Sequence, residues 1–251
     1  MIAPMIESGP RGVLFVTGTG TGVGKTIVTA ALAALASAPP LRRRVAVVKL
    51  AQTGVHDGPG SDTPDLETVT RLTGVTDTHE LARFPDPLSP EAAARVSGLP
   101  PVNFDRAAAL IAALEATRDL VLVEGAGGLL VRYDAEGATI ADLAVELNEQ
   151  GLDASALIVT AAGLGTLNHT ALTLEAAAAR KVPLAGVVVG SWPRVPGLAE
   201  RENLADLETL AREPLAGLLP EGSGSLPAAE FFAVARAGLA PSLGGQRAQY
   251  G

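Results

Sequence analysis

Five short stretches of the chain are apolar at almost every position: "GVLFVT" (12–17), "VAVVKL" (45–50), "DLVLVE" (119–124), "SALIVT" (155–160) and "LAGVVVG" (184–190). A strand with one wet face alternates apolar and polar residues. Continuous runs of this kind need cover on both faces, as strands between two helical layers have. The segments between them carry helical periodicity at 25–37, 65–73, 104–116, 139–149, 168–180 and 198–211. Strand and helix in strict alternation imply right-handed crossovers and a doubly wound, mostly parallel α/β sheet flanked by helices.

Such sheets bind ligands beyond the carboxyl ends of their strands. Thr17-Gly18, Lys49, Glu124 and Thr160 all fall there. The 251 residues suit one domain spanning 1–251, with 1–11 and 240–251 expected as flexible ends. Loops at 52–64 and 84–90 are longer than a simple connection requires and lie on the ligand-bearing edge.

"GVLFVTGTGTGVGKTIVTA" (12–30) joins an apolar strand to an Ala/Leu helix through a glycine-rich loop ending in Gly24-Lys25-Thr26. Glycines in such a loop let backbone N–H groups turn inward and, with the helix N-terminus, cradle an anion. Lys25 suits the outer phosphates and the Thr26 hydroxyl suits magnesium. The plain pattern requires a glycine five residues before Gly24, where this chain has Thr19. The competing reading is a tight turn with an incidental lysine.

Lys49 ends an apolar strand and must emerge at its edge, either to meet phosphate or to snorkel into solvent. Glu124, in "LVLVEGAGGLL", puts a carboxylate at the edge of another inner strand beside glycines that permit close ligand approach. In "SDTPD" (61–65), Ser61 or Asp62 suits a helix cap, while Asp65 suits a second metal carboxylate. Asp57 lies on the same loop. Trp192 is placed either to cover a base or to pack beneath the Pro-rich loop. His169 reads as a helix-start residue without chemistry.

The net charge of −8 argues against non-specific nucleic-acid or anionic-membrane binding, and Arg42-Arg43-Arg44 reads as a solvated turn. With no cysteine there is no disulfide, thiolate metal site or thiol nucleophile. No run approaches the roughly 20 apolar residues of a membrane span or makes a signal peptide, so a cytoplasmic protein is expected.

Taken together, "GTGTGVGKT" (18–26), the K-x-x-x-T-G of 49–54, "VEGAGGLL" (123–130), "GTLNHT" (165–170) and "LAG…GSWP" (184–193) resemble the dethiobiotin synthetase family in order and spacing from about 12 to 230. The longer loop is a mark of that family. The resemblance implies a homodimeric P-loop NTPase fold and an ATP- and Mg2+-dependent ligase. Its substrates would be 7,8-diaminononanoate, CO2 and a nucleoside triphosphate, and it would act in biotin biosynthesis. It further implies catalytic Lys25 and Lys49, and a metal set of Thr26, Asp65 and Glu124. Gly22, Val23, Gly24, Lys25, Thr26 and Ile27 would hold the nucleotide phosphates, with Asp65, Glu124, Gly125, Ala126 and Gly127 beside them. Gly190, Ser191, Pro220, Glu221 and Gly222 would lie on the base side. Thr21 and Thr53 would face the diamine. Gly165, Thr166, Leu167 and Asn168 would take its carboxylate from the partner subunit.

Three positions depart from the family pattern. Gly22 stands where some members have Glu. Leu50 stands where proline is frequent. Gly190 stands where some members have an Asn that reads adenine, which opens the choice among ATP, CTP and GTP. Two rival readings are a cobyrinate-type amidating synthetase and a partitioning-type switch ATPase. The first usually adds a glutamine-hydrolysing domain with a cysteine, and the second carries a lysine early in its loop; this chain has neither.

Overall fold

Successive residues along the inner strands point to opposite faces, and here both faces are apolar. Val13, Phe15, Ala46, Val48, Val121 and Val123 enter one core, while Leu14, Val16, Val45, Val47, Leu120 and Leu122 enter another. A computed structural model, which describes residues 9–56 and 63–247, shows how these faces are covered.

The main sheet has seven strands, all paired in parallel: β1 (Gly12–Gly18), β2 (Val45–Lys49), β4 (Thr78–Glu80), β6 (Leu120–Glu124), β7 (Ala154–Thr160), β8 (Leu184–Trp192) and β9 (Gly217–Pro220). Their order across the sheet is β4-β2-β6-β1-β7-β8-β9. A separate pair, β3 (Gln52–Thr53) with β5 (Arg83–Phe84), sits beside the edge of the sheet.

Helices α1 (Lys25–Ser37), α2 (Asp65–Thr73) and α8 (Ala228–Gly238) cover one face. The other is covered by α3 (Pro90–Ser97), α4 (Phe104–Glu115), α5 (Ile140–Glu149), α6 (Thr166–Ala179) and α7 (Leu198–Ala211). The chain steps from β1 outward to β2 and β4, returns to β6, then crosses to β7. That reversal opens the crevice in which doubly wound folds bind ligands.

The doubly wound parallel architecture is as the alternation implies. The strands β3, β4, β5 and β9 and the helices α3 and α8 were not expected. Three or four residues at a sheet edge do not make an apolar run, and α3 begins with Pro90 inside what reads as loop. The tail expected to be flexible from residue 240 is folded through Arg247. Leu243 is buried, and the Gln246 and Arg247 N–H groups donate to the Arg236 and Leu239 carbonyls.

The basic run 42–44 also differs from a solvated turn. Arg43 is buried and donates to the Pro10 carbonyl, and Arg44 grips Asp119 through two side-chain nitrogens. The capping roles read for Ser61 and Asp62, and the loop carboxylate Asp57, lie outside the described residues. Residue 64, a proline, stands at the α2 N-cap.

Candidate functional site

Strand register is what brings the distant residues together. Lys49 at the end of β2 is the direct neighbour of Glu124 at the end of β6, and Glu124 in turn pairs with Val16 of β1 two residues before the glycine loop. The loop turns at Gly22 and Gly24, whose φ values of 76° and 97° favour glycine, and α1 starts at Lys25. The first turn of α1 thus stands over the ends of β2 and β6.

Val23 locks the loop down. Its side chain is buried in the core, and a Cβ on Gly18 would come within 2.8 Å of it. Its carbonyl faces Gly190, where a Cβ would approach to 2.2 Å, and a Cβ on Gly24 would meet the Gly190 carbonyl at 2.5 Å. The glycine at 190 is therefore required by contact between β8 and the phosphate loop. A side chain at 190 would force β8 or the phosphate loop to shift.

Lys49 is almost fully buried and surrounded by oxygen. Its Nζ lies 2.5 Å from Asp65 Oδ2 and 2.7 Å from Glu124 Oε1, and donates to the Gly125 carbonyl at 3.2 Å. Burial alone would lower the Lys49 ammonium. The charges of Glu124 and Asp65 outweigh it and raise the group above its ordinary value. Burial likewise works to raise the Asp65 carboxyl, but Lys49 holds it below the usual range. Lys49 is not a snorkelling lysine.

Lys25 is buried too, and its Nζ donates to the Gly20 carbonyl at 2.7 Å. Burial and the Lys49 ammonium push it down to about 8, against partial support from Glu124 and Asp65. Among the described residues its ammonium has no carboxylate within ion-pair distance, so it is the cation left for a bound anion to meet.

A cavity of about 580 Å³ opens over this cluster. Of the residues singled out in the sequence, Thr21, Gly22, Gly24, Lys25, Thr26, Ile27, Lys49, Thr53, Asp65, Glu124, Ala126 and Gly127 line it. Val23 and Gly125 are buried behind it. Gly190, Ser191 and Pro220 to Gly222 lie at the ends of β8 and β9 outside its lining, as does the Gly165–Asn168 segment at the start of α6. Trp192 packs partly buried against the core that α7 covers, and its main-chain carbonyl accepts from the Glu221 N–H. His169 is exposed on α6.

Sequence reasoning missed two contributors. Gln52 is buried, and its side-chain carbonyl accepts from the Asp65 N–H at 3.0 Å, capping α2 where Pro64 has no side-chain acceptor. Tyr133, also buried, accepts from the Ala126 N–H at 2.7 Å and so fixes the turn after Glu124. Burial pushes its phenol up to about 12. The long loop marked at 84–90 does meet the site: Pro87 to Pro90 form a cavity wall, tied down by Gly54, whose N–H donates to the Phe84 and Asp86 carbonyls. In the sequence Gln52 is a spacer residue and Tyr133 a lone aromatic; neither carries a pattern.

The oxygen set suits a hard divalent cation. Thr26 Oγ1 donates to Glu124 Oε1 at 2.8 Å, and the second Glu124 oxygen is buried with no hydrogen-bond partner. That orphaned acceptor fits a metal ligand or its bound water. Among the described residues no group of three His, Cys, Asp or Glu side chains gathers to hold a metal. Two carboxylates and a hydroxyl match a magnesium ion that takes its remaining ligands from phosphate and water.

Comparison with known proteins agrees with this construction. Residues 12–227 match the AAA domain family AAA_26. The chain is 64% identical over 232 residues to "ATP-dependent dethiobiotin synthetase BioD" of Frankia casuarinae, covering 92% of this chain and 93% of that one. It is 57% identical to the protein of the same name from Parafrankia sp. (93% and 94% covered) and 53% identical to that from Streptomyces coelicolor (93% and 94%). Among solved structures, the Pyrococcus furiosus cell division ATPase MinD superposes with a TM-score of 0.53 at 18% identity, covering 92% of this chain and 96% of that one. A ParA family ATPase from Chlorobium tepidum TLS gives 0.51 at 16% (94% and 90%). Likeness at that identity concerns the fold alone. Order and spacing of the site segments, the extended phosphate loop and identity above half over nine-tenths of the chain converge on one conclusion: this protein belongs to the dethiobiotin synthetase family of P-loop proteins.

Proposed function

We propose that this protein is an ATP-dependent dethiobiotin synthetase acting in biotin biosynthesis. It closes the cyclic urea of dethiobiotin from 7,8-diaminononanoate and CO2 while ATP is cleaved to ADP and phosphate. The observation that carries the reading is that the Lys49 ammonium meets Asp65 at 2.5 Å and Glu124 at 2.7 Å in the cavity also lined by Lys25 and Thr26.

One amine of the diamine adds to CO2 and loses a proton, giving a carbamate. A carbamate oxygen attacks the γ-phosphorus and ADP leaves. The second amine attacks the carbonyl carbon of the mixed anhydride and expels phosphate, closing the ring. Phosphoryl transfer of this kind depends on positioning and on neutralising charge. The backbone of Gly22 to Ile27 cradles the phosphates, with Lys25 on the β- and γ-phosphates. Lys49 bridges the γ-phosphate and the carbamate, a role supported by its ammonium standing at the cavity beside Asp65 and Glu124. Thr26, Asp65 and Glu124 would hold Mg2+, which when bound supplies positive charge against the phosphate oxygens. Gly125, Ala126 and Gly127 keep the backbone low beside Glu124, and Thr21 and Thr53 face the diamine. Gly190, Ser191 and Pro220 to Gly222 border the base.

The working unit is a homodimer in which Gly165, Thr166, Leu167 and Asn168 receive the diamine carboxylate from the partner subunit. Two features support this. The segment stands outside the cavity of its own chain, and the adjoining surface exposes Leu164 at 95% and Leu172 at 57%. Among the described residues no helix is long and apolar enough to cross a membrane, which accords with a cytoplasmic site of action. The test incubates the protein with diaminononanoate, bicarbonate, magnesium and ATP, scoring phosphate and cyclic urea together. Phosphate release independent of diamine, without ring product, would remove the reading and favour a switch ATPase.

A further inference from the structure

Thr160 ends β7 with no exposed surface, and three other threonine hydroxyls converge on it. Thr166 Oγ1 and Thr170 Oγ1, both buried, lie 2.7 Å away, and Thr19 Oγ1 of the phosphate loop lies 3.4 Å away. The proton inventory gives the network a direction. Thr166 Oγ1 donates to the Ala161 carbonyl at 2.7 Å, so it must accept from Thr160. Thr160 has then spent its one proton and accepts from Thr170 and Thr19.

The chain of donors runs from the helix and the phosphate loop into Thr160, and out through Thr166 to the backbone. On the other side of the same turn, Asn203 of α7 is buried and donates to the Ala162 and Gly163 carbonyls at 2.8 and 3.1 Å. The start of α6 is thus fastened from both sides, although Gly165 at its N-cap offers no side-chain cap and Leu164 beside it is almost wholly exposed. The Thr19 N–H donates to the Val159 carbonyl at 3.0 Å, so the phosphate loop rests on the same strand end.

We propose that Thr160 is a positioning residue for substrate: its hydroxyl sets the Gly165–Asn168 turn at the geometry that receives the diamine carboxylate. This rests on the functional reading above, and extends it to a residue that touches neither substrate nor nucleotide. Removing the hydroxyl while keeping the side-chain volume strands the Thr170 proton and frees Thr166 from its donor. The turn then shifts relative to the ligand it presents.

The experiment compares steady-state kinetics of wild type, Thr160→Val, Thr160→Ser and Thr170→Val with two substrates. One is 7,8-diaminononanoate; the other is octane-2,3-diamine, the same chain without its carboxylate. Thr160→Val is expected to raise KM for diaminononanoate roughly 10-fold, with kcat and KM for ATP within about twofold. Thr160→Ser restores the wild-type value. Octane-2,3-diamine binds weakly to every variant and is indifferent to the substitution. If Thr160→Val does not fold, Thr170→Val, which removes a single donor, should show the same contrast at smaller size. Equal effects on both diamines, an effect confined to ATP, or an unchanged KM would overturn the proposal. Wild type that forms no cyclic urea would sink the functional reading itself, a different failure.

Discussion

Lys49 is the ammonium in direct contact with buried Glu124 and half-buried Asp65, which makes Lys49→Ala a sharp test of the site before any turnover is measured. Lys49 and Glu124 are 4% and 1% exposed, and the ammonium touches Asp65 Oδ2 at 2.5 Å and Glu124 Oε1 at 2.7 Å. Deleting one partner of a buried pair costs about 3–5 kcal/mol, because the remaining charge is left in low dielectric. For a chain of this size each kcal/mol moves the melting temperature by about 2–4 °C, so a loss of roughly 6–20 °C is expected. The Lys49 group is raised, so its contribution is complete below its ordinary value of about 10.4 and fades only as pH climbs beyond it. The deficit should therefore be constant across neutral pH. Magnesium chloride without nucleotide should restore much of it, because a divalent cation replaces the missing charge; at 100 times its Kd the gain is about 2.7 kcal/mol. Wild type, whose carboxylates already hold the ammonium, should respond far less. The assay is thermal unfolding with and without magnesium, alongside ring closure, which should fall by orders of magnitude. A Lys49→Ala protein melting within about 2 °C of wild type would refute the argument that this ammonium compensates buried carboxylates.

Other consequences are open to direct measurement. Gly190→Asn should raise KM for ATP at least ~10-fold rather than confer selectivity for adenine, since its Cβ would displace the Val23 carbonyl of the phosphate loop; nucleotide competition with CTP and GTP would check this. Burial works to raise Asp77, but hydrogen bonds from Arg118 at 2.6 Å and His79 at 2.9 Å hold its carboxyl below the usual range. A depressed carboxylate contributes stability above its unfolded value of about 3.9 and loses it as pH falls through the folded one, so Asp77→Asn should be less stable at pH 7 with a flatter acid limb in denaturant titrations. Gly165 sits at φ 92°, so Gly165→Val strains the carboxylate turn. Mixing that variant with Lys49→Ala should rebuild one intact site per mixed dimer and recover roughly a quarter of wild-type activity at low diamine, whereas no recovery would place the turn in its own subunit's site.

What could be read from sequence was whatever leaves a periodic or local trace. Apolar runs covered on both faces gave the sheet and its layers, and the charged residues closing those runs gave Lys49 and Glu124, because a buried strand admits a charge only at the end where partner charges or a ligand can meet it. Contributors that act across the fold left no such trace. Gln52 caps a helix thirteen residues downstream through space, and nothing in "KLAQTG" distinguishes it from a spacer. Gly190 is the more instructive case. A glycine in place of a recognition residue reads as something lost, yet Gly18, Val23, Gly24 and Gly190 form an interlock in which the valine side chain lies over one glycine and its carbonyl against another. This also bears on why the loop tolerates its extra length. Six residues separate β1 from α1, and a loop that long would be slack if it were held only by the phosphates it binds. Burying Val23 and pinning its carbonyl to β8 divides the loop into two short spans, so the anion cradle is preorganised before nucleotide arrives. Enlarging any of the three glycines should therefore weaken nucleotide binding without touching a residue that contacts phosphate through its side chain.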